Sequence, residues 1–130
     1  MKFCVITHVV HIKQQDQYFA YTPYIREMNL WIQENDELII VAPLNKNAAG
    51  PTAIESSYKY KNIRFIPIPD FSATNIKELF KTILILPILC ARIFRGMYIA
   101  NHIHLRCPGN VGLIACFIQI LFPEKKKTAK

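Results

Sequence analysis

Glycine is scarce in this chain of 130 residues, which contains only four. The phosphate-binding patterns that depend on glycine are missing. There is no G-x-G-x-x-G after the first apolar run and no G-x-x-x-x-G-K-[ST] anywhere. Both patterns require glycine because the backbone must approach a phosphate group closely. Their absence argues against a dinucleotide-dependent enzyme and against a P-loop nucleotide hydrolase.

Cysteine is also sparse, and its spacing does not suit zinc binding or disulfide bonds. None of the four cysteines belongs to a C-x-x-C pair, and all lie in apolar runs or at a strand end: Cys4, Cys90, Cys107 and Cys116. This pattern favours buried thiols in a reducing compartment. Met1-Lys2 leads directly into an apolar run instead of a signal peptide, so we expect a cytoplasmic protein.

Acidic residues are few, 9 against 16 Lys and Arg, and the net charge is +7. Part of the excess comes from four lysines near the end of the sequence: Lys125, Lys126, Lys127 and Lys130. No aromatic residues are interleaved with them, as a nucleic-acid interface would require. We therefore expect no nucleic-acid partner, and we interpret these lysines as a solvated turn before another strand.

Hydrophobic residues make up 52% of the chain, and strand patterns alternate with helix patterns. Apolar runs predict four strands, at residues 2–10, 37–44, 63–71 and 102–107. Proline cannot donate to a strand ladder, so Pro67 and Pro69 predict that the third strand lies at a sheet edge. Helical patterns follow the first, third and fourth strands, at residues 22–36, 75–97 and 110–122.

This alternation predicts an α/β fold, a doubly wound, mostly parallel Rossmann-like sheet with helices on both faces. We expect one domain over residues 1–130, with KKKTAK as the beginning of a fifth strand that is cut off. The segment HIKQQDQYFAYTPY looks like a loop, and residues 45–62 look irregular. In the first helix we expect Thr22 to cap the start before Pro23, and an apolar stripe of Ile25, Met28 and Ile32.

The stretch HIHLRCPGNVGLI, residues 102–114, predicts a strand, a turn and a helix at the carboxyl edge of the sheet, where α/β proteins usually bind ligands. Gly109 permits close backbone approach, and Arg106 could pair with a phosphate through two hydrogen bonds. Equally, the Pro-Gly pair could only form a tight turn while Arg106 pairs with a local carboxylate.

The segment after the first strand is a second candidate site. His8 and His11 flank the strand end, but no third ligand is nearby, so we expect no metal site. Tyr18, Tyr24 and Arg26 suit recognition of a sugar or lipid phosphate, although packing of the tyrosine rings in the core explains them nearly as well.

The helix at 75–97 carries apolar residues on two faces. One face is expected to meet the sheet, with Ile76, Leu79, Phe80, Ile83, Leu86, Cys90, Phe94 and Met97. The opposite face places Ile85, Ile88 and Leu89 between two cations, Lys81 and Arg92, as in a helix that rests on an anionic membrane. Packing under another helix or loop is an equal alternative. Pro87 should kink this helix in either case.

Three stretches together resemble the amino-terminal half of a bacterial two-domain, retaining glycosyltransferase of the family 4 type: FCVITHV…QYFAYTPYIREMNLW, ELIIVAPL and IHLRCPGNVGLIACFIQILFP. The resemblance covers essentially the whole chain. It implies that this half binds the acceptor and touches the membrane through basic, apolar helices. It further implies acceptor contacts from His8, Tyr18, Tyr24 and Arg26, and a cleft rim formed by Arg106, Gly109 and Asn110.

The sequence departs from that family in two ways. Residues 8–22 contain no glycine, which implies a different loop conformation or a different acceptor. The domain that binds the nucleotide sugar is missing, with its glutamate pair separated by seven residues. The resemblance therefore implies a fragment or a truncated gene product that is inactive alone and holds no cofactor itself, and no catalytic base can be named from this sequence.

The expected partners are a sugar or lipid-linked acceptor, a donor-binding domain or partner chain, and an anionic membrane surface on the cytoplasmic side. Two alternatives remain: a non-catalytic membrane-surface or partner-binding module, or the acceptor subunit of a split glycosyltransferase.

Overall fold

The computed structural model describes residues 1–32, 37–60, 62–69, 75–106 and 109–130. The first half contains β1 (Lys2–Ile6), β2 (Ile12–Gln14), β3 (Gln17–Tyr21), α1 (Thr22–Trp31), β4 (Glu37–Pro43) and β5 (Glu55–Ser57). The second half contains β6 (Ile63–Ile68), α2 (Ile76–Ile99), β7 (His102–Leu105), α3 (Asn110–Ile118), a 3-10 turn (Gln119–Leu121) and β8 (Lys126–Ala129).

Five strands form the main sheet in the order β6-β4-β1-β7-β8, and every neighbouring pair is parallel. The α/β class with a mostly parallel sheet is therefore confirmed, and the strand order is compatible with a Rossmann-like fold. Pro67 lies in β6 at one edge of this sheet, as predicted. The predicted fifth strand is β8, at the other edge.

Helices flank the sheet on both faces because alternate strand residues point to opposite sides. Cys4 and Ile6 of β1 pack in one cluster with α2 and α3, whereas Phe3 and Val5 pack in the other with α1. The predicted stripe of α1 is confirmed, since Ile25, Met28 and Ile32 are all buried in that second cluster.

The start of α1 differs from the prediction. Tyr21 occupies the N-cap position without a side-chain cap bond. Thr22 instead donates its hydroxyl to the Ile54 carbonyl, at 2.8 Å, and so ties the helix to the segment before β5. The predicted helix end near Asn35-Asp36 lies outside the described residues.

The expected loop after β1 is wrong, because most of it forms a β-hairpin. β2 and β3 pair in antiparallel fashion, and β5 adds a third strand from the segment that we expected to be irregular. The turn residues Gln15 and Asp16 both have positive φ, 50° and 64°. Such turns usually carry Asn or Gly, and their absence removed the sequence signal for a hairpin.

The predicted sheet-facing side of α2 is only partly right, because Met97 is buried as predicted whereas the other predicted residues are not. Its buried residues are Leu89, Ile93, Gly96 and Met97, all in the second half of the helix. Leu89 is 0% exposed and belongs to the core, not to a membrane-facing side. Phe80 and Ile83, which we expected to meet the sheet, are 66% and 56% exposed.

Candidate ligand site and apolar arm

The site lies where β1 and β7 end side by side. The chain leaves β1 towards β4 on one side and leaves β7 towards β8 on the other, so this is the point where strand order reverses. Ligands of open α/β sheets bind in the crevice at such a point, outside the carboxyl ends of the strands. Residues that follow these two strands are therefore the first candidates for ligand contact.

His8 and Gly109, which the sequence assigned to two separate candidate sites, meet at this point because β1 and β7 are neighbours in the sheet. A Cβ atom on Gly109 would lie only 2.8 Å from Nδ1 of His8. The imidazole can therefore approach this closely only because residue 109 is a glycine. Gly109 is also the N-cap residue of α3, and no side chain caps this end of the helix. Asn110 follows as an exposed residue in the first turn.

Arg106 lies beside them and is fixed by two contacts. Its guanidinium sits over the Tyr24 ring, 5.0 Å from the ring centroid, and its Nη1 donates to Oε2 of Glu27 at 2.8 Å. Oε1 of the same carboxylate lies 3.1 Å from Nζ of Lys130. Pairing of Arg106 with a local carboxylate, one of the two sequence-based alternatives, is thus observed.

Glu27 holds two cations with one carboxylate. The hydrogen bond from Arg106 lowers the pKa of Glu27, and Lys130 adds to the effect, so this carboxylate is ionised at neutral pH. Two positive charges and one negative charge leave a positive excess at this end of the sheet. Sequence reasoning missed Glu27 and Lys130. Arg106, the hydrogen-bond partner of Glu27, is 79 residues away in the chain, and Lys130 pairs with the same Glu27.

Two of the predicted acceptor residues occupy positions that do not suit acceptor contact. Tyr24 is 1% exposed, and its hydroxyl lies 2.9 Å from that of Tyr58, so it supports Arg106 from below. Tyr18 stacks on Phe65, with 4.8 Å between ring centroids. Phe65 lies in β6, the edge strand that β4 and β1 separate from β7. Packing, the alternative already considered for the tyrosines, therefore accounts for both rings. Arg26 is exposed on α1.

A second depression on the carboxyl edge lies beside β4 and β6. It has a volume of about 330 Å³ and is lined by Val10, Pro43, Leu44, Asn45 and Ile68. The edge therefore offers one polar place and one place of mixed polar and apolar character. Among the described residues, no group of three or more His, Cys, Asp or Glu side chains is arranged to hold a metal ion.

The first half of α2 projects past this same edge. Asn101, just after the helix, donates its backbone N–H to the Lys2 carbonyl, so the helix ends at the amino edge of the sheet. The eleven residues 89–99 rise about 16 Å, roughly the length of β1. Arg92, exposed in this half, donates to the Pro67 carbonyl near the end of β6.

Residues 76–88, which we call the apolar arm, therefore extend about 20 Å beyond the strands. No residue of the arm is buried. Leu84 and Ile76 are 78% and 74% exposed, and Ile88 is 50% exposed. Ile85 is half-buried, and Lys81 is exposed beside it.

The surface continues onto α3 and the 3-10 turn. These carry four more exposed apolar side chains, Leu113, Phe117, Ile120 and Leu121. Neither element contains an acidic residue, and α2 contains only Glu78. Apolar surface with cations and almost no acids is the composition that anionic lipid surfaces attract.

By length and composition alone, α2 is the one helix in the described residues that could cross a membrane. Only 22% of its most apolar window is buried. Its second half packs in the core through Leu89, Ile93 and Met97, so only the arm remains exposed. An arm of about 20 Å is shorter than the hydrocarbon core of about 30 Å.

Comparisons of the chain with family models, curated proteins and solved structures found no significant match. The fold and the site define the class: an α/β protein with a five-stranded parallel sheet, helices on both faces and the polar side chains of His8 and Arg106 at the carboxyl edge.

Proposed function

We propose that this chain is the acceptor-binding, amino-terminal portion of a nucleotide-sugar-dependent glycosyltransferase, held on the cytoplasmic face of an anionic membrane. The observation that carries the proposal is the position of the apolar arm beside the crevice where His8 meets Gly109. The strand order supports assignment of the sheet to the doubly wound, Rossmann-like type. A lipid-linked acceptor is the substrate class that such a pair of features suits.

In this proposal the arm lies in the plane of the membrane surface. Apolar side chains on the side of the arm that faces the bilayer enter the boundary between head groups and acyl chains. Lys77 and Lys81 remain at the level of the anionic head groups, where each basic residue contributes about 1 kcal/mol. Arg92 and Arg95, in the half of α2 that packs on the sheet, add longer-range attraction.

The crevice then receives the polar part of the acceptor. His8, Arg106 and Asn110 present polar groups near Gly109, whose lack of a side chain leaves room for the His8 imidazole. The nucleotide sugar would be bound by a donor domain in the same polypeptide or in a partner chain. Positive charge and helix amino ends at the cleft would stabilise the leaving diphosphate.

Membrane binding is tested with phosphatidylcholine vesicles that contain or lack phosphatidylglycerol. We expect the protein to co-sediment with the anionic vesicles and to dissociate at high salt, because screening weakens surface attraction. Leu84→Glu should weaken this binding at least tenfold, since it places a charge in the middle of the arm. Leu30→Glu is the matched control, because Leu30 is 88% exposed on α1, on the opposite face. Equal binding by both variants would refute the membrane role of the arm.

The acceptor role is tested with vesicles made from a bacterial lipid extract. Lipids that remain bound to the purified protein after gentle detergent extraction are identified by mass spectrometry. Enrichment of lipid-linked sugars over bulk phospholipid supports an acceptor site. Retention of phospholipids in their original proportions would instead favour the non-catalytic membrane-surface module.

A further inference from the structure

We propose that the carboxyl edge of the sheet binds the phosphoryl group of a membrane lipid, through Arg106 and Lys130. The inference rests on the proposed function and deepens it by naming the chemistry of the lipid head group. Three observations support the proposal. Two cations contact one carboxylate, the guanidinium of Arg106 has unused donors, and the apolar arm brings a bilayer to the same edge of the sheet.

Arg106 is prepared for an anion before any anion binds. The Tyr24 ring beneath it and the Glu27 carboxylate beside it fix the guanidinium plane. Within the described part of the chain the guanidinium makes a single hydrogen bond, through Nη1, which leaves N–H donors on Nε and Nη2. Its side chain remains 23% exposed. A planar fork with free donors is the geometry that binds a phosphoryl group through two hydrogen bonds.

Lys130 supplies the second charge. Its backbone N–H donates to the Leu105 carbonyl, which places it level with Arg106 at the end of the neighbouring strand. Its side chain is 64% exposed and contacts Glu27 through Nζ. Because Glu27 neutralises only one of the two cations, a phosphoryl anion would complete the charge balance.

The apolar arm decides where the phosphoryl group comes from. The arm leaves the sheet at the edge that carries Arg106 and Lys130, so the head groups of a bilayer that receives the arm lie alongside this edge. Head-group phosphates would then be concentrated in front of the two cations. A soluble phosphate compound gains nothing from the arm, and this difference separates the two sources.

Trp31 offers a local reporter, because it is the only tryptophan of the chain. It lies one helical turn after Glu27, and its ring centroid is 5.2 Å from that of His104, two residues before Arg106. Trp31 fluorescence is titrated with dihexanoyl phosphatidic acid below its micelle concentration. Inorganic phosphate and dihexanoyl phosphatidylcholine are titrated in parallel.

We expect saturable binding of the short-chain phosphatidic acid, with Arg106→Gln weakening it at least tenfold, since a charged hydrogen bond is lost. Lys130→Gln should weaken it severalfold, and it tests the site with little risk to folding because Lys130 is exposed. Circular dichroism checks that each variant remains folded. Unchanged affinity in both variants, or no binding by the wild type, would overturn the proposal.

Two further results separate the sources and the proposals. Inorganic phosphate that binds as tightly, with the same dependence on Arg106, would overturn the lipid assignment in favour of a soluble phosphate compound. Leu84→Glu should bind the short-chain lipid normally although it loses vesicle binding. If the wild type does not bind vesicles but binds short-chain phosphatidic acid through Arg106, the proposed membrane binding of the arm is wrong whereas the phosphoryl site is supported.

Discussion

The imidazole of His11 is held in its neutral form by its surroundings. It is fully buried, with Nδ1 donating to the Val9 carbonyl at 2.8 Å and Nε2 at 2.7 Å from the Tyr58 hydroxyl. Its ring also stacks on Tyr58 and meets the edge of Tyr24. Burial lowers the pKa of His11 to about 4. This histidine therefore belongs to the support beneath Arg106, not to the exposed crevice.

This burial predicts that stability falls in mild acid. In the unfolded chain the imidazole binds a proton near its ordinary pKa of 6.5, whereas in the folded protein it resists protonation until about pH 4. The contribution of His11 is thus present above pH 6.5 and is lost as the pH falls from 6.5 to 4. We expect the free energy of unfolding to decrease by about 2 kcal/mol between pH 7 and pH 5 from this group. Urea denaturation at the two pH values measures the change.

The variant His11→Phe keeps the volume of the ring and removes the proton-binding site. Between pH 7 and pH 5 its free energy of unfolding should therefore decrease by about 2 kcal/mol less than that of the wild type. At pH 7 the variant should be less stable than the wild type, because Tyr58 loses its hydrogen-bond partner. Leu30→Gln, at an exposed position without a titrating group, should retain the full pH dependence of the wild type. An equal change in the free energy of unfolding with pH in His11→Phe and in the wild type would contradict the attribution of this change to His11. The pKa of His104 is also lowered by burial, so a smaller dependence of the same sign remains.

At the scale of elements, Lys125 holds the end of α2. Its Nζ donates to the carbonyls of Met97, Tyr98 and Ala100, at 2.8, 2.6 and 2.7 Å. These carbonyls lie at the carboxyl end of the helix, where a cation is favoured by the helix dipole. The same ammonium lies over the Phe122 ring, 5.1 Å from its centroid. One of the terminal lysines is therefore a helix cap, which the sequence did not indicate.

We predict that Lys125→Met destabilises the protein by about 1–3 kcal/mol, because charged hydrogen bonds to otherwise unpaired helix carbonyls are lost. Thermal or urea denaturation at pH 7 measures the loss. Lys126→Met, at the exposed neighbouring position, is the control and should change stability by less than about 0.5 kcal/mol. Equal effects of the two substitutions would show that the three hydrogen bonds contribute nothing measurable.

The face of α2 that meets the sheet shows how far helical periodicity can be used. The helix has apolar residues on more than one side, so its sequence allows several rotations about its axis. Gly96 decides between them in the structure: a Cβ there would lie 2.6 Å from Cγ2 of Val41, so this side packs closest to the sheet. Periodicity also cannot indicate that only the second half of a long helix covers the strands.

At the scale of the whole molecule, exposed apolar surface is concentrated on the face that carries α2 and α3. Contiguous apolar patches of this kind are rare on soluble monomers and cause association when nothing covers them. The arm alone exposes Ile76, Leu79, Phe80, Ile83, Leu84, Leu86 and Ile88. The same surface that we propose for lipid should therefore bind a second copy of the chain in plain buffer.

We predict concentration-dependent self-association of the purified protein in sedimentation velocity experiments. A mild detergent or anionic vesicles should suppress it, because they compete for the same side chains. Phe80→Glu combined with Leu84→Glu should shift the protein towards monomer, whereas Leu30→Glu should not. A wild-type protein that remains monomeric at high concentration would contradict this prediction.

Much of the fold followed from local pattern. Apolar runs such as ELIIVAPL were read correctly as buried strands, and Pro67 correctly marked a sheet edge, because burial and proline chemistry act on each segment separately. The meeting of His8 and Gly109 did not follow from the sequence, because it depends on β1 and β7 being neighbours in the sheet. The hairpin at Gln15 and Asp16 was missed because neither residue signals a turn with positive φ.

The sequence alone therefore determined the α/β class with its mostly parallel sheet, and the position of β6 at a sheet edge. Tertiary structure alone decided that Leu89 is core, that residues 76–88 stand free of the sheet, and that Glu27 holds Arg106. The physical reason is that the first set depends on contacts within a segment or between neighbouring strands. The second set depends on contacts between segments far apart in the chain, which no local period encodes.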